Sequence, residues 1–172
     1  AALLVHALLA GLGRLRPPRG AAAAPAAQRP LLLETVGPVL LPLAVWLARR
    51  DVILARKTPT GVWLDSSEGP EAIAGDLEHF AVIGVNFPKF TDGRGYSSAR
   101  LLRERYSYRG ELRAIGDVLQ DQLFYMKRCG IDAYALREDK DIDAALASLR
   151  DFSETYQAAV DQPQPLFRRR TA

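Results

Sequence analysis

Cysteine is almost missing from this chain: Cys129 stands alone among 172 residues. A single thiol cannot close an intrachain disulfide, and it suits a reducing compartment, so a cytoplasmic location is expected. Nor can it hold an iron–sulfur cluster, which takes several cysteine thiolates. Histidine is nearly as scarce. His6 and His79 are too few for a zinc site of the usual nitrogen and sulfur type, and no metal site is expected. The phosphate-loop pattern G-x-x-x-x-G-K-[ST] is absent. Long apolar runs are lacking too. Leu3–Ala10 is too short to cross a bilayer, and Leu31–Ala48 is broken by Glu34, Pro38 and Pro42. No membrane association is expected.

Acids are missing from residues 1–33, which carry Arg14, Arg16, Arg19 and Arg29 among many alanines and prolines. These arginines follow the apolar stretch instead of preceding it, unlike a secretory signal. The segment reads as a low-complexity, disordered extension. Residues 161–172 read as a basic, proline-containing tail ending in Arg168-Arg169-Arg170. The formal net charge of +3 comes from these two ends, and the middle is left acidic. A globally basic nucleic-acid binder is therefore disfavoured. Within the middle, Lys89 to Arg113 is locally basic, with seven Lys or Arg residues against Asp92, Glu104 and Glu111. Such a cluster suits an anionic ligand or an acidic partner.

Residues 34–160 read as one α/β domain. Val39–Pro42 is a short apolar run, and Leu43–Ala55 follows with helical character. Gly61–Asp65 reads as a strand, Glu71–Phe80 as a helix with Ile73, Leu77 and Phe80 on one side, and Ala81–Phe87 as a near-continuous apolar strand. Next come a helix over Ser97–Tyr106, a strand over Glu111–Ile115, and a helix over Asp117–Cys129 stopped by Gly130. A strand over Asp132–Leu136 and a closing helix over Ile142–Ala159 complete the pattern. Repeated strand–helix units imply a mainly parallel sheet with helical crossovers, either a half-barrel or a flavodoxin-like sheet.

Ligands of such sheets bind at the carboxyl ends of the strands. The strand Ala81–Phe87 runs there into Lys89, Asp92, Gly93, Arg94, Gly95, Tyr96 and Ser97. The two glycines permit positive φ and close approach of a ligand. Ser97 is expected to cap the next helix, whose free N–H groups attract anions. Lys89 and Arg94 supply full charges, with Arg100 three residues beyond Ser97. Arg113 and Gln122 form the expected opposite wall. Asp117 and Asp121, four residues apart, would share one helical face and are the candidates for acid–base chemistry. The same residues also have ordinary structural uses: Asp-Gly is a common turn pair, Asp117 is a good cap, and Cys129 reads as a small buried apolar residue.

The runs FPKFTDGRGYSSARLLRERY and GELRAIGDVLQDQLFYMKRCGIDAYAL resemble the bacterial family known as domain of unknown function 934, over about residues 36–158. Asn86 stands where the family is expected to carry an acid, which weakens an acid–base role at that strand end. Members tend to be encoded beside assimilatory sulfite reductase, a sirohaem and iron–sulfur enzyme. The resemblance therefore implies an accessory protein of sulfite reduction, with the reductase as partner and the Lys89–Ser97 loop contacting it or an anion. Two alternatives stay open. One is an oxidoreductase holding a flavin or a nicotinamide nucleotide such as NADPH in the same loop. The other is a small-molecule enzyme using Asp117 and Asp121.

Overall fold

The computed structural model describes residues 37–170; the extension expected at 1–33 lies outside the described residues. Five strands form one sheet: β1 (Val39–Pro42), β2 (Thr60–Leu64), β3 (Phe80–Phe87), β4 (Glu111–Gly116) and β5 (Ala133–Tyr134). All neighbouring pairs are parallel, and the spatial order is the chain order, β1-β2-β3-β4-β5. A flavodoxin-like sheet runs 2-1-3-4-5 and reverses once. The sequential order without reversal corrects that alternative and leaves the half-barrel arrangement.

The main helices are α1 (Leu43–Leu54), α2 (Arg94–Glu104), α3 (Leu123–Arg128) and α4 (Ile142–Ser148), with one further helical turn, α5 (Leu166–Arg169). Alternate residues of the strands, Leu41, Val62, Ile83, Val85, Phe87 and Leu112, meet Trp46 of α1, Leu102 of α2 and Met126 of α3 in one core. This is the two-residue period of strands meeting the apolar stripes of the helices. Right-handed crossovers between in-order parallel strands put the helices on that single side.

Three expected helices are shorter than their apolar spacing predicts. Between β2 and β3 the chain makes two 3₁₀ turns, Pro70–Ile73 and Leu77–His79, and Phe80 already belongs to β3. The Asp76 carboxylate between them accepts from Trp46 Nε1 at 3.0 Å and Arg50 Nε at 3.0 Å, which ties the turns to α1. The expected Asp117–Cys129 helix starts instead as a 3₁₀ turn at Gln120–Gln122, with α3 following. Gly116 has φ +95°, the Asp117 N–H donates to Phe87 O at 2.7 Å, and Leu119 is extended with φ −109° and ψ 155°, so no helix begins before Gln120. The closing helix stops at Ser148. Beyond it the chain is irregular and is pinned by Arg128, whose guanidinium donates to Gln157 O at 2.6 Å. The helix stop at Gly130 is as expected, with φ +94°. The last strand shrinks to Ala133–Tyr134, because the Asp132 side chain accepts the Leu112 N–H at 2.8 Å.

Candidate binding site at the carboxyl rim

At the end of β3, Asn86 is buried and donates from Nδ2 to Asp65 Oδ1 at 2.9 Å. The same oxygen accepts the Ser66 N–H at 2.8 Å, while the Asp65 N–H donates to Glu68 Oε2 at 2.8 Å. The ends of β2 and β3 are thereby joined. Gly116 lies against Phe87 O and Asn86 Oδ1, where no Cβ fits. Among the sequence's glycines here, this one needs the left-handed region.

After Phe87 the chain turns sharply, with the Asp92 N–H donating to Lys89 O at 3.0 Å. Lys89, Phe90 and Thr91 are exposed at the tip, the Phe90 ring by 55%. Asp92 folds inward. Its Oδ1 accepts from Arg94 Nε at 3.0 Å, its Oδ2 from an Arg94 terminal nitrogen at 2.7 Å, and that terminal nitrogen also donates to Ser66 Oγ at 3.0 Å. The Arg94 guanidinium holds the Asp92 carboxyl well below the usual carboxylate range, and the carboxylate in turn raises the Arg94 pKa. The anion that this cation holds is thus internal.

Helix α2 begins at Arg94 after Gly93, so Ser97 lies inside the helix and is not its cap. Gly93 has φ −88°, and the positive-φ glycines of the described residues are Gly116 and Gly130. Gly95 answers to packing: a Cβ there would meet the Phe87 ring at 2.8 Å. Tyr96 sits between Phe87 and Tyr125, with both ring centroids 5.1 Å away, and burial pushes its hydroxyl pKa up.

The remaining expected residues are dispersed. Arg100 pairs with Glu104 at 2.9 Å on the exposed side of α2. Arg113 lies on the sheet face opposite the helices and donates from Nε to Glu111 Oε1 at 2.6 Å. Gln122 is buried, and its Oε1 accepts the Leu119 N–H at 3.1 Å. It shapes the turn before α3. Asp117 and Asp121 do not share a helical face, since 117–119 are not helical. Asp117 accepts from Arg137 at 3.1 Å. Asp121 instead borders a depression of about 350 Å³ with Gln120, Lys140 and Asp151. Cys129 is buried, and burial raises its thiol pKa.

Arg137, just past β5, is a rim residue that reading the sequence missed. It bridges Asp117 and Asp139, holding the Asp139 carboxyl down to about 2. The same strand-end rule that singled out Arg94 applies to it. Asp65 was visible as a strand end, but its link to Asn86 was not, nor was that of Ser66 to Arg94. The rim therefore carries cations that are already matched by carboxylates, and a protruding Lys89–Phe90–Thr91 tip. Among the described residues no three His, Cys, Asp or Glu side chains gather as a metal site, and no helix is long and apolar enough to cross a membrane.

Comparison with known families finds a match over residues 61–167 to the family described as bacterial protein of unknown function, domain of unknown function 934. No curated protein matches the chain.

Proposed function

The chain belongs to the bacterial domain of unknown function 934 family, and from that premise we propose that it is an accessory protein of sulfite reduction. In this reading it docks on the reductase through the carboxyl rim of its sheet. The observation that carries the reading is the Lys89–Asp92 turn. It lifts the 55%-exposed Phe90 ring beside Lys89, on a base fixed by Asp92, Arg94 and Ser66. Aromatic side chains held on rigid backbone are favoured anchors of protein–protein contacts, and their ordering costs little entropy. A small oxyanion would have to compete for Arg94 with a carboxylate that already binds it through two nitrogens. That favours a protein surface as the ligand of this loop. Tyr125, 57% exposed against Tyr96, adds a second aromatic edge beside the start of α2.

The test is genetic complementation with sulfite as the only sulfur source. Deleting the gene should slow growth, the wild-type gene should restore it, and a gene carrying Phe90→Ala with Lys89→Glu should not. A reduced source such as sulfide should restore growth in every strain. Normal growth of the deletion strain on sulfite overturns the reading.

A further inference from the structure

One face of the sheet takes no part in the helix-covered core. Leu40, Trp63, Val82 and Ile115 stand on the side opposite Leu41, Val62, Ile83 and Leu112, and none of the four belongs to that core. They gather over two glycines. A Cβ on Gly84 would meet Trp63 Cβ at 2.9 Å and Ile115 Cδ1 at 3.4 Å, and one on Gly61 would meet Leu40 Cδ1 at 2.9 Å. Leu40, Trp63 and Val82 stay partly exposed. Among the described residues the helices cover one side of the sheet only; that is half of a layered architecture, and the apolar second face calls for a second layer.

The register says what layer fits. Trp63, Gly84 and Arg113 are direct neighbours across β2, β3 and β4, and β3 is the middle strand of five. Trp63 and Arg113 therefore stand one strand spacing, about 4.8 Å, on either side of Gly84. A two-fold axis running along β3 above Gly84 turns β2 of one copy over β4 of the other. It sets each Trp63 indole against the Arg113 guanidinium of the second copy, and Gly84 leaves room on the axis. A guanidinium over an indole is the most favourable cation–π pairing, and making each contact twice is what a two-fold interface requires. The Arg113 side chain lies 18% exposed beside Glu111, already fixed in place.

We infer that the protein associates face to face with a second copy of itself through this sheet surface, Trp63 packing on Arg113 across a two-fold axis along β3. Five strands of about 16 Å make a footprint of roughly 400 Å² per copy. A stable complex buries about 800 Å² per partner, so the dimer is reversible.

Sedimentation velocity of the full chain from about 1 to 300 µM, paired with iodide quenching, tests this. Trp46 is fully buried, so iodide reads Trp63. The expected result is a monomer–dimer equilibrium in which Trp63 quenching falls as dimer forms. Trp63→Lys and Arg113→Glu should each weaken association roughly tenfold or more, and Arg113→Lys should largely keep it. A chain monomeric throughout overturns the inference. In that case an accessible Trp63 marks a face left for a different protein, and a shielded one marks a face covered by another segment of this chain. A dimer that neither variant weakens overturns it equally. Should Trp63→Lys fail to fold, Arg113→Glu and the wild-type dilution series decide.

Discussion

Asp92 and Arg94, two residues apart, are locked together at the start of α2: the Arg94 side chain donates to both Asp92 oxygens, and the Arg94 backbone N–H donates to Oδ1 at 3.3 Å. The carboxylate side chain is 5% exposed and the guanidinium 63%, so the two partners are not equivalent. Exposed guanidinium contacts contribute little to stability, whereas the carboxylate also satisfies a free N–H at the helix start. Asp92→Ala should lower the melting temperature by about 2–5 °C, and Arg94→Ala by less. Amide hydrogen exchange should rise across residues 88–94 in the first variant. Equal losses in both would contradict the asymmetry.

Three carboxyls are depressed in the folded protein: Asp76 beside Arg50, Asp92 beside Arg94, and Asp139 beside Arg137, the last to about 2. A depressed carboxyl adds stability that is fully present above its unfolded pKa, about 3.9, and is lost as pH falls through the folded value. Stability should therefore hold from neutrality to about pH 5 and decline from there towards about pH 2. Urea denaturation at stepped pH measures it. Asp92→Asn with Asp139→Asn should flatten the decline; an unchanged acid limb would remove these groups as its cause.

Two rim glycines differ in what they forbid. A Cβ on Gly95 would meet the Phe87 ring at 2.8 Å, and on Gly116 it would strike Phe87 O at φ +95°. Gly95→Ala is expected to cost about 1–3 kcal/mol by overpacking. Gly116→Ala should cost at least as much, since backbone strain adds to the clash. Chemical denaturation of both variants checks the values and their order.

Arg103 is a structural hub of the amino end of the sheet. With 9% side-chain exposure, it donates to Gly130 O at 2.9 Å, to Tyr108 O and Gly110 O at 2.8 Å, and to Asp132 Oδ2 at 2.7 Å. Its removal leaves three carbonyls without their donor, while the Asp132 carboxylate, 55% exposed, stays hydrated. Arg103→Ala should lose about 2–3 kcal/mol, chiefly through the carbonyl hydrogen bonds, and Arg103→Lys should recover only part, because an ammonium lacks the planar fork. A melting curve within 1–2 °C of wild type for Arg103→Ala would contradict this.

The alternation of fold elements was legible because it rests on local signals: apolar runs for β2, β3 and β4, and Gly130 as a helix stop. Helix lengths were not, where long-range bonds intervene. Ile73, Leu77 and Phe80 keep helical spacing, yet Asp76 is drawn to Trp46 and Arg50, and Phe80 is claimed by the ladder with β2. Asp117 carries a good cap side chain, but its carboxylate accepts from Arg137 instead. At the site, the turn and the Arg94 charge were visible. The charge balance of the rim was not: Asp92 and Asp117 are each the counterion of a rim arginine, and Asp117 and Arg137 lie 20 residues apart in sequence. Arg113 looked like part of the same basic cluster. The alternation of β4 sends it to the other face.

The proposal that the Lys89–Phe90 tip docks on sulfite reductase requires a direct complex of the two proteins. Titrating the purified chain onto the purified reductase by calorimetry tests it most directly. The expected result is saturable binding that weakens with salt, falls at least tenfold with Phe90→Ala, and falls again with Lys89→Glu. Absence of binding at about 100 µM, or binding that both variants leave unchanged, would contradict it.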